Sequence, residues 1–510
     1  MLQKKIEPII KLNKKEQALL EFDEFKLKKL QEIINLGVNP YAYKFEASES
    51  IAEIKERFKD ATHEKSKESI KVAGRLYAIR VHGRAIFADI RDSTEKIQIY
   101  LREDEIGKEK FALFKELIDT ADIIGVEGNI FKTKMGELTV WVSNFELLAK
   151  SLNILPEKFH GLQNIERRYR QRYLDLIVNI DVRDIFVKRS KAIHFIRNFL
   201  IERGFLEVET PILQPIYGGA NARPFETYHN FLEQKLYLRI APELYLKRLI
   251  IGGFEKVFEI AKNFRNESVD TLHNPEFTMV EIYEAYKDYN DMMNLTEQLI
   301  ASTIKEVCGS YKIKFAEHEL NFKPKWPRIT MEEAVKKYAK LDVLGSSLEE
   351  LKELARSKGI AEAENAKNQR ELLVLFFEEL VEKKLIQPIF VTDFPVEVSP
   401  LAKPHRKKEG FTERFELFVN TWELANGFSE LNDPLDQKRR FEEQERKRRL
   451  GDLEAQRIDY DYINALGYGL PPTGGVGIGI DRLAMIIADK QSIKEVILFP
   501  QMKTAGTSRE

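Results

Sequence analysis

The feature that most limits the fold is a change of hydrophobic rhythm part-way along the chain. Residues 69–148 run as five short β-rich segments, "IKVAGRLYAIR", "RAIFADIRD", "KIQIYLRE", "DIIGVEGNIFKT" and "LTVWVSNFELLA", separated by glycine and charged turns. A helical stretch, "EKFALFKELI", stands between the third and the fourth. Strands this short and this closely spaced predict a small Greek-key barrel. Beyond residue 181 strands and helices follow one another without the steady strand–helix–strand rhythm of a parallel sheet. That irregularity predicts an α+β domain built on an antiparallel sheet flanked by helices. With 510 residues the chain is long for a single core, and two or three domains are expected.

The domain reading follows from these shifts. Residues 1–66 form an N-terminal helical segment, in which Leu19, Leu20, Phe22, Phe25, Leu27, Leu30, Ile33 and Ile34 recur at roughly helical spacing before Gly37 and Pro40 stop the run. Residues 67–150 form the five-stranded barrel, of the OB type. Such barrels hold single-stranded nucleic acid by stacking bases on aromatic side chains in a basic groove. Arg75, Arg80, His82, Arg84, Phe87 and Gln98 lie on its first three strands, where that surface belongs. Residues 151–180 read as a hinge, with Pro156 and Gly161 ahead of Arg167, Arg168, Arg170 and Arg172. That arginine run is either a solvated face or a phosphate contact. The large domain, 181–510, carries a helical insertion at about 328–386.

Composition excludes several classes. The chain is 43% hydrophobic and 32% charged, as a globular protein is. It has no apolar run long enough to span a membrane and no apolar leader, so a cytoplasmic location is expected. Cys308 is the single cysteine, which excludes an internal disulfide and any cysteine-rich metal site, and the eight histidines show no H-E-x-x-H pair. A net charge of −1 means that any nucleic acid must be met by a local basic surface.

Four elements of the large domain carry chemistry. In "FRNESVDTLHNPEF", residues 264–277, Arg265 ends an apolar strand beside Glu267, and a polar loop returns through His273 and Asn274 to Phe277. The alternatives are a phosphate and base site or a plain hairpin with a surface ion pair. In "GVGIGIDR", residues 475–482, alternating glycines allow close approach to the backbone and Arg482 opens the next helix. Two arginines on different elements make a clamp for a polyphosphate. Glu416 and Glu423 lie on either side of a turn near Asn420, so a hairpin brings them opposite each other as a magnesium pair beside nucleotide oxygens. Asn426, Phe428 and Glu430 share strand parity, whereas Glu423 has the other, which calls for a bulge near Asn426–Gly427. Finally Glu243, in "APEL", and Glu281 with Tyr283, in "MVEIYEAY", are glutamates in apolar settings that a cationic ligand would balance.

With these elements in place, the sequence resembles the class II aminoacyl-tRNA synthetases, and among them the lysyl-tRNA synthetases. "GFLEVETPIL", "FRNESVDTLHNPEF" and "GVGIGIDR" resemble the three class motifs in order, and "GGANARPF", "YLRIAPELYLKRL", "FTMVEIYEAY", "EVSPLAKPH" and "NGFSELND" resemble those of the lysine branch. The match runs from "GVNPY" to "VILFP". The resemblance implies an α+β class II catalytic domain that joins L-lysine to tRNA(Lys) at the expense of ATP. It implies Arg265 on the α-phosphate and Arg482 on the γ-phosphate, with Glu267, His273, Asn274 and Phe277 around adenosine. Glu416 and Glu423 become ligands of Mg2+. Gly219, Glu243, Glu281, Tyr283, Asn426, Phe428 and Glu430 become the lysine pocket, with Glu281 and Glu430 on the ε-ammonium. Phe87 and Gln98 match positions that read the anticodon, and Pro211 falls at the interface of a homodimer. An aspartyl or asparaginyl enzyme shares the barrel and the three motifs, but its pocket should offer the substrate cations. A protein-lysylating relative lacks the barrel, and a non-enzymatic nucleic-acid module leaves the arginines and carboxylates unexplained.

Overall fold

The computed structural model describes residues 22–156, 162–452 and 454–503. The chain divides into two compact units, residues 1–161 and 162–510.

In the first unit a helix runs over Glu24–Asn35, opened by the Asp23 side chain, which accepts from the backbone N–H of Lys26. It ends before Gly37, whose φ of 73° only glycine adopts readily. Leu19 and Leu20 lie outside the described residues. The barrel strands are β1 (Ser69–His82), β2 (Ala85–Arg91), β3 (Lys96–Arg102), β4 (Ile123–Lys132) and β5 (Leu138–Ala149). They close in the order β1-β2-β3-β5-β4. The period-two alternation accounts for this: Ile86, Ala88 and Ile90 on β2 and Ile97, Ile99 and Leu101 on β3 all point into one buried core, and the residues between them face outward. The helix Lys108–Leu117 buries Phe111, Phe114 and Leu117 against that core.

The second unit opens with two short helices, Ile165–Arg170 and Arg172–Val178. They decide the reading of the arginine run. Arg172 is fully buried, 2.6 Å from Asp175, and donates to the carbonyls of Lys494 and Leu498. Arg168 shares Asp175 and also pairs with Glu495. These two cations are internal bolts and are not available to phosphates.

Next in order come a long helix (Asp181–Ile201), β6 (Leu206–Glu207), β7 (Leu213–Gln214), β8 (Glu226–His229), β9 (Gln234–Leu238), a helix (Glu243–Ile251), β10 (Lys256–Phe264), β11 (Glu276–Ala285) and a helix (Tyr289–Cys308). They are followed by β12 (Lys312–Phe315), β13 (His318–Asn321), β14 (Arg328–Thr330), β15 (Ile389–Thr392), β16 (Arg414–Val419), β17 (Trp422–Ser429), helices Pro434–Arg449 and Tyr460–Gly467, β18 (Thr473–Gly479) and the helix Ile480–Ile487. Eight strands form the main sheet, in the order β14-β15-β16-β17-β18-β11-β10-β6. Its six central strands are antiparallel, but the outer pairs β14–β15 and β10–β6 are parallel. The sheet is therefore mixed, because each outer pair is joined by a connection long enough for a crossover. Between β14 and β15 that crossover is the helical insertion, which has its own core of Leu351, Leu372, Phe376 and Phe377. The Tyr289–Cys308 and Asp181–Ile201 helices cover the main sheet, packing Met292, Leu299, Ile196 and Phe199 onto Phe258, Val280 and Ile478. Among the described residues no helix is long and apolar enough to cross a membrane.

The β16–β17 hairpin departs from expectation in a useful way. It turns through Asn420 and Thr421, both at positive φ (48° and 67°), as a two-residue turn that follows the strand twist requires. Glu416 faces Asn426 across the ladder and Glu423 faces Phe418, so the two glutamates are not opposite each other. A bulge does restore a common face, but the extra residue is Leu424, between the pairs Phe418–Glu423 and Leu417–Ala425. Gly427 serves another purpose: a Cβ there would stand 2.6 Å from the Gly475 carbonyl oxygen and 2.7 Å from the Phe415 ring.

Replacing Asp175 by Ala takes the counter-ion from a fully buried Arg172. Stranding such a charge costs about 3 kcal/mol or more, seen as an earlier urea midpoint for the second unit; an unchanged midpoint would show that the carbonyl oxygens suffice.

Candidate active site

A cavity of about 390 Å³ opens on the main sheet. Gly219, Glu243, Arg265, Glu267, His273, Asn274, Phe277, Glu281, Tyr283, Glu416, Glu423, Asn426, Phe428 and Arg482 all line it. Residues from seven separate stretches of sequence thus meet in one space. Of the large-domain candidates only Glu430 is missing from its wall.

One part of the lining is cationic. Arg265 leaves the end of β10, where its backbone N–H donates to Pro275 across the loop, and its guanidinium lies 5.1 Å from the Phe277 ring centroid. Its Nε is buried without a hydrogen-bond partner among the described residues. Burial lowers its pKa, opposed by the charges of Glu267 and Glu423. A desolvated guanidinium with an unused donor is prepared for an anion. Arg482, at the start of the Ile480–Ile487 helix, donates to the Glu423 carbonyl, lies 3.6 Å from the Glu423 carboxylate and 3.4 Å from His273 Nε2. His273 Nδ1 is held 2.8 Å from Asp270, and Asn274 is fixed by donating to the Glu276 carbonyl and accepting from Gln501 N–H. The loop candidates therefore form a braced wall beside the two arginines. They are not a hairpin with a lone surface pair.

The remaining lining is acidic and packs against the glycine-rich strand. Glu281 is 6% exposed, has no ion pair among the described residues, and receives a 3.4 Å contact from the Tyr283 hydroxyl. Burial, reinforced by the charge of Glu243, pushes its pKa up to about 8. Burial also raises Glu416, which Arg414 partly offsets from 2.6 Å. The glycines explain how carboxylates reach this depth. A Cβ at Gly477 would stand 2.9 Å from Glu281 Oε1, and one at Gly475 would stand 2.6 Å from the Tyr283 ring and overlap Glu430. Gly219 contributes differently: at φ 92° it turns the chain under Glu243 while its N–H donates to Gln456.

Glu430 has a partner that the sequence does not reveal. It is 1% exposed and forms an ion pair with Lys247, itself fully buried, which also pairs with Glu243 one helical turn before it. Glu430 thus faces a protein ammonium while lying directly over Gly475, a residue that lines the cavity. Lys247 was legible only as a lysine on the Glu243 face of an amphipathic helix, with nothing to mark it. Two further residues carry no sequence signal strong enough to separate them from ordinary charges. Arg414 spans Glu416, Asn426 and the Val398 carbonyl, and Asp481 accepts from Thr278 N–H and from Arg189 at 2.6 Å each. Asp481 thereby fixes the origin of the helix on which Arg482 sits.

On the barrel, Phe87 and Gln98 lie on the outward faces of the neighbouring strands β2 and β3. Phe87 stacks on Tyr100 at 4.5 Å, Tyr100 meets Trp141 edge-on at 5.0 Å, and Lys65 lies 3.9 Å above the Trp141 ring. Gln98 accepts from the Thr139 hydroxyl at 3.0 Å. Tyr100 and Trp141 extend the aromatic surface beyond the residues singled out from sequence. Arg80, by contrast, is tied to Asp89 at 3.1 Å.

Comparison with known proteins accords with this geometry. Residues 164–503 match the family described as tRNA synthetases class II (D, K and N), and residues 70–148 match the OB-fold nucleic acid binding domain. A relative from Methanoculleus marisnigri named lysine–tRNA ligase is 63% identical over 484 residues, covering 95% of each chain. One of the same name from Methanospirillum hungatei is 61% identical, covering 96% of this chain and 97% of its own. Another from Carboxydothermus hydrogenoformans is 51% identical, covering 96% and 99%. The chain belongs to the class II tRNA synthetases of the D, K and N group, with an OB-fold nucleic-acid-binding domain ahead of the catalytic one.

Proposed function

We propose that this enzyme is a lysine–tRNA ligase, which activates L-lysine with ATP to lysyl-adenylate and pyrophosphate and then passes the lysyl group to the 3′-terminal ribose of tRNA(Lys). The observation that carries the choice of amino acid is Glu281, a buried carboxylate at the cavity wall with no ion pair among the described residues. A cationic side chain holds it ionised and balanced, whereas an aspartate or asparagine supplies no positive charge to it. The names of the relatives support the same reading.

In this reading Arg265 holds the α-phosphate and Arg482 the γ-phosphate, while Glu267, His273, Asn274 and Phe277 receive adenosine. Gly219, Glu243, Tyr283, Asn426 and Phe428 shape the lysine pocket around Glu281 and Glu430. The carboxylate of lysine is ionised at neutral pH and is already a nucleophile, so the first step requires no general base. What the residues supply is alignment of that carboxylate with the α-phosphorus and stabilisation of the charge on the phosphate oxygens. Arg265 suits the second task because it is already desolvated and needs little reorganisation. In the second step the 3′-hydroxyl of tRNA attacks the activated carbonyl and AMP departs.

Mg2+ fits Glu416 and Glu423. Two carboxylates on one face of the hairpin give a hard oxygen set that nucleotide oxygens and water complete, and among the described residues no cluster of three or more His, Cys, Asp or Glu could hold a metal unaided. Bound there, the ion would neutralise phosphate charge. On the barrel, Phe87 and Gln98 would read the anticodon of tRNA(Lys) by stacking and hydrogen bonding. A cytoplasmic location and a homodimer belong to the same reading. The edge strand β6 and the segment around Pro211 expose Leu206, Ile212 and Leu213, each more than two-fifths accessible. A single-chain mass in sedimentation would contradict the dimer.

ATP/pyrophosphate exchange tested with the twenty amino acids should respond to lysine; exchange driven by aspartate or asparagine and not by lysine would sink the proposal. In the same assay F87A should keep exchange while losing tRNA charging, and loss of both would contradict the division of labour. The raised pKa of Glu281 adds a pH dependence. Below about pH 8 the empty pocket carries a proton that the ammonium must displace, so the KM for lysine should fall about tenfold per unit as pH rises toward 8 and then level off. E281Q should bind lysine weakly and without this slope.

A further inference from the structure

Lys247 has no role in the reading above, and its surroundings are unusual. Its side chain is fully buried in the helix Glu243–Ile251, yet its ammonium lies against two carboxylates, Glu243 and Glu430. It also sits 5.2 Å from the centroid of Phe428, a ring that lines the cavity. Apart from the Lys247 contact, neither oxygen of Glu430 has a hydrogen-bond partner among the described residues. The other titratable or charged groups acting on this cluster are Glu281 and Tyr283 of β11, Tyr462 of the Tyr460–Gly467 helix, and Arg414 of β16. Of these only Arg414 is a cation, and it is committed to Glu416 at 2.6 Å.

We propose that Lys247 is a positioning residue of the amino-acid pocket, a built-in counter-ion that keeps Glu243 and Glu430 ionised and fixed while the pocket is empty. The inference rests on the reading of this cavity as a lysine pocket. Three glutamates close together in an apolar setting cannot all hold their charge unaided. Without an internal cation the empty pocket would take up protons on Glu430 and Glu243, and each incoming ammonium would have to expel them. Burial pushes Glu243 up and Glu430 well up from the usual carboxylate range, and Lys247, in contact with both, is the charge that pulls them back toward the ionised form, so Glu281 is left as the carboxylate whose charge the substrate itself must fix. The charges of Glu243 and Glu430 outweigh the burial of Lys247 and hold its own pKa above the usual range, so it stays an ammonium at working pH.

The test is a count of protons. Lysine binding to the full-length enzyme is measured by titration calorimetry at pH 7 in buffers of different ionisation enthalpy, for the wild type, K247M and K247M/E430Q. K247M should release about one more proton per lysine bound than the wild type, with lysine affinity lowered about tenfold or more and ATP affinity changed less than about twofold. K247M/E430Q, which removes the orphaned carboxylate, should release fewer protons than K247M. An unchanged proton count in K247M, or equal losses for lysine and ATP, would overturn the proposal. If K247M does not fold, K247R carries the test in reverse, because it keeps the charge and should match the wild-type count; an added proton there overturns the proposal. Wild-type enzyme that binds no lysine would instead overturn the pocket reading itself.

Discussion

Negative charge taken out of water is the condition around which the catalytic unit is arranged. Glu243, Glu281, Glu416 and Glu430 are all at least nine-tenths buried around one cavity, and each needs something positive nearby to remain a carboxylate. The chain answers in three ways. Glu416 is met by Arg414, Glu430 and Glu243 share Lys247, and Glu281 has no ion pair among the described residues, only the more distant charges of Arg265 and Lys247. The substrate is recognised at the place where this internal balance is left incomplete.

The same condition accounts for the composition of β18. Carboxylates lie deep only if the strand beneath them has no side chains in the way, and Gly475 and Gly477 provide that on the cavity face. The glycines are thus packing residues for Glu430, Tyr283 and Glu281. Their alternation, which in the sequence signals only a close approach to the backbone, has its structural cause in the acidic pocket. The arginines that point toward phosphate come from elsewhere, from the end of β10 and the start of the Ile480–Ile487 helix, which Asp481 anchors to β11.

Much of this was legible from residues alone because periodicity and spacing are local properties. The barrel strands are short and evenly spaced, two of them, β2 and β3, alternate strictly in burial, and Asn420 at the β16–β17 hairpin marked its turn. The cavity lining was legible largely through the resemblance, since its members come from distant stretches. What escaped was pairing in space. Nothing local distinguishes Lys247 from the lysines around it, or Arg172 from Arg170, because the difference lies in which elements later close over them. The parallel edges of the sheet were hidden for the same reason: strand direction depends on how a connection crosses. The bulge was correctly required by parity but misplaced, since Asn-Gly looks like a site of irregular backbone when Gly427 is in fact squeezed between Gly475 and Phe415.

That bulge has a consequence for how the hairpin can change. Leu424 acts as a one-step phase shift: before it, odd-numbered positions of β17 look into the cavity, and after it, even-numbered ones do. Glu423 on one side and Asn426 with Phe428 on the other are therefore brought onto one face by a residue whose own side chain is buried in the core. A substitution at Leu424 alters only the packing, but loss of the residue would turn one half of the strand over relative to the other. The hairpin should consequently tolerate exchanges of letter far better than changes of length, and the nucleotide and amino-acid ends of the site are kept in register by counting residues along one strand.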